Sequence, residues 1–192
     1  MPSLNQLKQF SVAEYHQLIA SGIISEDEKV ELLDGFIVKM SPQHPPHAAT
    51  ISRSLDYLQK IVPEGVSLRA QLPVTLSTSE PEPDIAVVRS DLDDYVEHHP
   101  YPQHIYWLIE VADSSLAVDK SEKANLYARA TIREYWILGV RDRTLTVYLD
   151  SSNSGYQSEL RYAETEIVSP QAFPELGIEV GRMLPRDIHQ SS

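Results

Sequence analysis

The chain has 192 residues, no cysteine, and 28 acidic against 16 basic side chains, for a formal net charge of −12. Its length fits one domain of ordinary size, and 42% hydrophobic residues suffice for a full core without disulfides or a structural metal. The missing cysteines exclude thiol nucleophiles and thiolate metal sites, and the acidic balance opposes the counterion-driven binding of a histone-like nucleic-acid coat. The start, Met1 to Gln6, has no basic stretch leading into an apolar one, and no apolar run approaches the roughly 18 residues of a membrane span. A soluble cytoplasmic protein is expected.

Residues 11–20 predict a short helix, with Ser11 as N-cap and Glu14 completing a capping box. Gly22 ends it. Residues 30–33 and 36–40 predict a hairpin turned by Asp34-Gly35, a two-residue signal for a tight turn. Pro45-Pro46 opens a helix expected to reach Val62, because His47, Ile51, Leu55, Leu58 and Val62 fall on one helical face. Residues 66–76 predict a strand bent at Pro73, and therefore an edge or a bulge. After a turn-rich link come strands at 84–88 and 105–112, separated by a long acidic loop at 89–104.

A helix at about 119–130 and strands at 134–140 and 143–149 follow. A turn near Asn153-Ser154-Gly155 leads to a strand at 156–161, and an irregular tail is expected from about 162. This order predicts an α/β (α+β) fold, a mixed central sheet flanked by helices, as one domain over 1–192 with its core at about 30–150. The strand at 105–111 is apolar on both faces and should be central.

Acids interrupt the two most apolar stretches. Asp84 opens Asp84-Ile85-Ala86-Val87-Val88, and Glu110 nearly closes Ile105-Tyr106-Trp107-Leu108-Ile109-Glu110-Val111. If these strands are antiparallel neighbours, both acids arrive at one end of the sheet. Lys123, Leu126, Tyr127 and Ala130 step by i, i+3, i+4 and i+7, so the lysine shares the stripe facing that sheet. A buried charge is costly without a partner. Two carboxylates and an ammonium placed together suit metal-assisted phosphodiester hydrolysis, because Mg²⁺ prefers hard oxygen ligands and retains water on the rest of its shell. Glu31, inside the apolar Val30-Glu31-Leu32-Leu33, is a candidate further ligand. His47, heading the buried face of its helix, is a candidate to touch phosphate or brace an acid. Taken singly, each of these residues also has an ordinary structural reading, as a strand cap, an ion-pair member or a satisfied core histidine.

Several ordered motifs carry a resemblance. They are Val30-Glu31-Leu32-Leu33-Asp34-Gly35, His47, Glu82-Pro83-Asp84-Ile85-Ala86-Val87, Ile109-Glu110-Val111-Ala112-Asp113-Ser114-Ser115, Lys123-Ala124-Asn125-Leu126-Tyr127-Ala128 and Glu134-Tyr135-Trp136-Ile137. Over roughly 12–180 the chain resembles the Uma-two family of restriction endonuclease-like proteins, within the PD-(D/E)xK nuclease superfamily. The resemblance implies a restriction-endonuclease-like core and an endonuclease that hydrolyses DNA with Mg²⁺, for which Mn²⁺ can substitute. Asp84 would be the motif aspartate and Glu110 the motif acid, both metal ligands. The usual lysine position two residues after Glu110 holds Ala112, so Lys123 would be its migrated replacement, and Glu31 the acid before the core. Gly139 stands where related chains often carry an acid.

DNA is the expected substrate, and cutting both strands would call for a homodimer. The alternative is a catalytically inactive nuclease-fold module for binding or dimerisation, favoured by the alanine at 112 and the net charge. His98, His99 and His104 lack the spacing of a structural zinc module and read as a solvated loop. Ser114-Ser115 lacks a nucleophile elbow and reads as the loop that aims the next helix. Asp119 is a candidate cap of that helix, and Lys120 the rival of Lys123.

Overall fold

The computed structural model describes residues 7–25, 27–112 and 117–186, with the side chains of 117–122 outside that description. Helix α1 (Val12–Ala20) begins at Ser11, whose hydroxyl accepts from the Glu14 N–H while the Glu14 carboxylate accepts from the Ser11 N–H. Strands β1 (Val30–Leu33) and β2 (Phe36–Lys39) form the expected hairpin. Its two turn residues take positive φ, 47° at Asp34 and 82° at Gly35, which an Asp-Gly pair tolerates.

Helix α2 (Pro45–Leu58) precedes β3 (Val66–Ala70), β4 (Ile85–Arg89) and β5 (Ile105–Ala112). After α3 (Ala117–Arg129) come β6 (Glu134–Gly139), β7 (Thr144–Ser152) and β8 (Gly155–Ala163). These six strands make one sheet in the order β3-β4-β5-β6-β7-β8. All neighbours are antiparallel except β5 and β6, which run parallel and are joined through α3. The fold is therefore mixed α+β, with β5 inside the sheet, as its doubly apolar pattern requires, and β3 at its edge.

Alternation along each strand divides the core. Ile85, Val87, Trp107, Ile109, Trp136 and Leu138 face a layer containing Ile51 and Leu58 of α2. Ala86, Val88, Leu108 and Tyr135 face the layer of α3, with Ala124, Leu126 and Tyr127. The hairpin and α1 share a smaller cluster around Leu32.

Three expectations are corrected. The strand expected over 66–76 stops at Ala70, where Gln71 takes φ of 52° and donates its N–H to the Pro83 and Asp84 carbonyls. The chain then bonds outside the sheet, from Val74 N–H to Pro81 O and from Thr75 N–H to Pro100 O. Helix α2 ends at Leu58, not Val62, and the Ile61 and Val62 N–H groups both close back on the Leu58 carbonyl. The tail is ordered rather than irregular. It forms β9 (Ile167–Val168), β10 (Ile178–Glu179) and α4 (Val180–Met183), which bury Val168, Ile178, Val180 and Met183 in the α2 layer. Segments of two to four residues are too short to declare a period.

The acidic loop is exposed at Asp91, Leu92, Asp93 and Asp94, as expected, but Tyr95 is buried in the α3-side core. The His98 ring meets it edge-on and the His104 ring lies tilted against it, while Tyr101 and His104 both stack on His98. No described helix is long and apolar enough to cross a membrane.

Candidate active site

Strand pairing brings the first two acids together. Ile85 pairs with Ile109 in the antiparallel β4–β5 ladder, so one further step in register sets Asp84 opposite Glu110. Side chains at opposed positions project to the same face. Asp84 Oδ2 accepts the Val111 N–H at 2.7 Å, which fixes the aspartate against the strand carrying Glu110. Both acids are buried, at 7% and 5% exposure. His47, in the first turn of α2, places Nε2 2.9 Å from Asp84 Oδ1.

The third element is α3. Lys123 extends its ammonium between two acids, 3.0 Å from Glu31 Oε2 and 3.3 Å from Glu110 Oε1. Tyr127, one turn later on the same stripe, donates its hydroxyl to the same Glu110 oxygen at 3.2 Å. Glu31 Oε2 also accepts the Glu82 N–H at 3.1 Å, which ties the hairpin to the segment entering β4.

The burial of Lys123 by itself favours the neutral amine and is the largest single influence. The pull of Glu110 and Glu31, with the hydrogen bonds both make, outweighs it and raises the proton affinity above the ordinary value near 10.5. Lys123 is therefore a fixed cation at any ordinary pH. Tyr127, fully desolvated and beside Glu110, is pushed well above 10, so it acts as a donor. Glu82, which contributes its backbone to the cluster, has a half-buried side chain whose pKa is raised, chiefly by desolvation.

Among the described residues, no three His, Asp or Glu side chains are grouped so as to hold a metal ion. The pair Asp84 and Glu110 still fits Mg²⁺ in chemistry, since that ion accepts one or two carboxylates and keeps waters at its remaining positions. A carboxylate oxygen offers two lone-pair directions, so a hydrogen bond and a metal bond can share one oxygen.

All five residues singled out by sequence lie in this one cluster, as an Asp84–His47 pair and a Glu31–Lys123–Glu110 bridge joined through β4 and β5. Sequence reasoning used Tyr127 only to mark the helical stripe and missed its bond to Glu110. The signal was its i+4 spacing from Lys123. It also passed over Glu80, buried at 4% and held by His16 Nε2 at 2.7 Å and the Thr75 hydroxyl at 2.6 Å. Ser114 and Ser115 lie outside the described residues, as do the side chains of Asp119 and Lys120. At Gly139 a Cβ would fall 2.1 Å from Asp142 Oδ1, so the carboxylate of Asp142 fills the space a side chain there would need.

A protein-family model described as "Putative restriction endonuclease", Uma2, matches residues 12–181. Among solved structures, one described as a "putative nuclease belonging to DUF820", from Anabaena variabilis, superposes with a TM-score of 0.70 at 16% identity, covering 91% of this chain and 97% of that one. At that identity the likeness shows a shared fold. No curated protein matches this chain.

Proposed function

The chain belongs to the Uma2 family, and from that premise we propose that it is a Mg²⁺-dependent endonuclease hydrolysing DNA phosphodiester bonds. The observation that carries the reading is a single buried cluster in which Lys123 bridges Glu31 and Glu110 beside Asp84. Ordinary stability does not need such an arrangement, because burying charges together usually gains little over an apolar replacement. Mg²⁺, or Mn²⁺ in its place, would be held by Asp84 and Glu110 and would supply an activated water and charge neutralisation at the phosphate.

The chain's own groups have separate tasks in this reading. His47 and the Val111 N–H hold both oxygens of Asp84 in one orientation. Lys123, protonated throughout, orients the attacking water and offsets the charge that develops on the phosphoryl oxygens; it cannot be the base. Glu31 holds the ammonium from the far side and is positioned as an auxiliary ligand or proton acceptor. Two such sites are needed to cut both strands, which a homodimer would provide.

The test is cleavage of supercoiled plasmid with Mg²⁺ or Mn²⁺. Wild type should nick or linearise it, and Asp84→Ala should lose at least about a hundredfold in rate while keeping the wild-type circular dichroism spectrum. Equal rates would defeat the assignment.

One observation favours a second reading, a nuclease fold kept for binding or dimerisation. The Lys123 ammonium already compensates Glu31 and Glu110 without a metal ion. Calorimetric titration with Mn²⁺ separates the two readings, since a folded protein that binds no Mn²⁺ at millimolar concentration would be the binding module.

A further inference from the structure

A cavity of about 210 Å³ lies on the opposite side of the sheet from α3, lined by Arg53, Asp56, Tyr57 and Lys60 from α2 and its end, and by Arg182 from α4. Arg53, Asp56 and Tyr57 are spaced i, i+3 and i+4 on one flank of the helix, and Lys60 follows in the turn just beyond its end. Arg182 completes the wall by lying over the Tyr57 ring, 4.2 Å from its centre.

The charges here are unusual for this molecule. Three cations face one carboxylate, on a chain whose net charge is −12. Asp56 stands at helical spacing from both Arg53 and Lys60, yet no ion pair within 4.0 Å joins any of the three among the described residues. Arg53 Nε is buried without a hydrogen-bond partner, and a buried guanidinium donor left unmatched is costly. Arg182 alone is engaged, with Glu179 at 3.3 Å. An arginine fork, a lysine and a second arginine around a small cavity suit a tetrahedral oxyanion.

We propose that this cavity is a phosphate-binding subsite that holds a backbone phosphate of DNA away from the bond to be cut. The proposal rests on the endonuclease reading and extends it to the substrate's backbone. Position supports it. Arg53 follows His47 by six residues of α2, about 9 Å along the helix axis at the usual rise. One rigid helix therefore carries both His47, which holds Asp84, and most of the cavity wall. The subsite also answers the net charge, because it gives an acidic protein a local anion contact that the cluster of acids cannot provide.

The test uses fluorescence anisotropy of a labelled duplex in Ca²⁺, over a series of salt concentrations, with wild type, Arg53→Gln, Lys60→Gln and the double variant. Each single substitution should weaken binding several-fold for any sequence and flatten the slope of log affinity against log salt by about one. Arg53→Lys should recover part of the loss, and thermal melts should match wild type. Unchanged affinity and slope in the double variant would overturn the proposal. So would a duplex affinity insensitive to these substitutions while calorimetry shows them abolishing the binding of inorganic phosphate, which would make the cavity a free-anion site. Asp84→Ala keeps the two ideas distinct. It should lose cleavage but keep the salt slope, whereas the Arg53 and Lys60 variants should retain metal binding.

Discussion

The two faces of the central sheet solve different problems. On the α2 side, Trp107 and Trp136 lie tilted with ring centres 5.5 Å apart among the buried apolar side chains of Ile51, Leu58, Ile85 and Leu138. On the α3 side, the same strands end in Asp84 and Glu110, and the covering helix brings a lysine instead of another leucine. Apolar burial contributes about 25 cal/mol for each Å² removed from water, whereas a buried ion cluster roughly breaks even against its desolvation. The first face stabilises the domain. The second adds an apolar layer around Tyr127 and Tyr135 and, in the proposed reading, uses its charges to hold a metal ion.

The contrast can be broken from either side. Trp136→Ala should have the largest effect on stability, about 3–5 kcal/mol from lost transfer energy and the cavity left behind, read from denaturant unfolding. Lys123→Met should come next, at about 3 kcal/mol, because it leaves Glu31 and Glu110 buried without their shared cation. Its pH dependence carries a definite sign. The folded-state proton affinity of Lys123 is raised, so its contribution is fully present below the ordinary 10.5 and is lost only as pH rises beyond that. The deficit of the variant should therefore stay level from about pH 6 to 9. A deficit that vanished within that range would mean that Lys123 is not the cation of this cluster. The smallest change is expected at Gly139→Ala, which must displace the Asp142 carboxylate and its bond to Arg161 at 2.6 Å. An exposed pair of that kind is worth under about 1 kcal/mol.

Long patterns made most of the fold legible. The capping box at Ser11, the Asp34-Gly35 turn and the doubly apolar β5 each follow from a local rule, and the structure has each of them. The cluster was legible because its residues contradict their surroundings, an acid in an apolar strand or a lysine on an apolar stripe. What could not be read was set by partners distant in sequence. The end of β3 is decided when Gln71 bonds to Pro83 and Asp84, and the tail is ordered by a core built from earlier strands. Glu80 escaped notice because it lies in a turn-rich segment, where an acid is unremarkable until His16 is seen beside it.

The bridge from Lys123 to Glu31 also bears on how the chain reaches this state. His47 and Asp84 are 37 positions apart, and Glu31 precedes its counter-ion by nearly half of the 192 residues. Contacts this remote close late, because the entropy of the intervening loop must be overcome before they form. During synthesis, β1 and β5 emerge while Glu31 and Glu110 are still hydrated, and their shared ammonium arrives only when α3 docks. Arrival of that helix is therefore the step at which the acids can leave water, and a chain truncated before Lys123 should stall with this face of the sheet open.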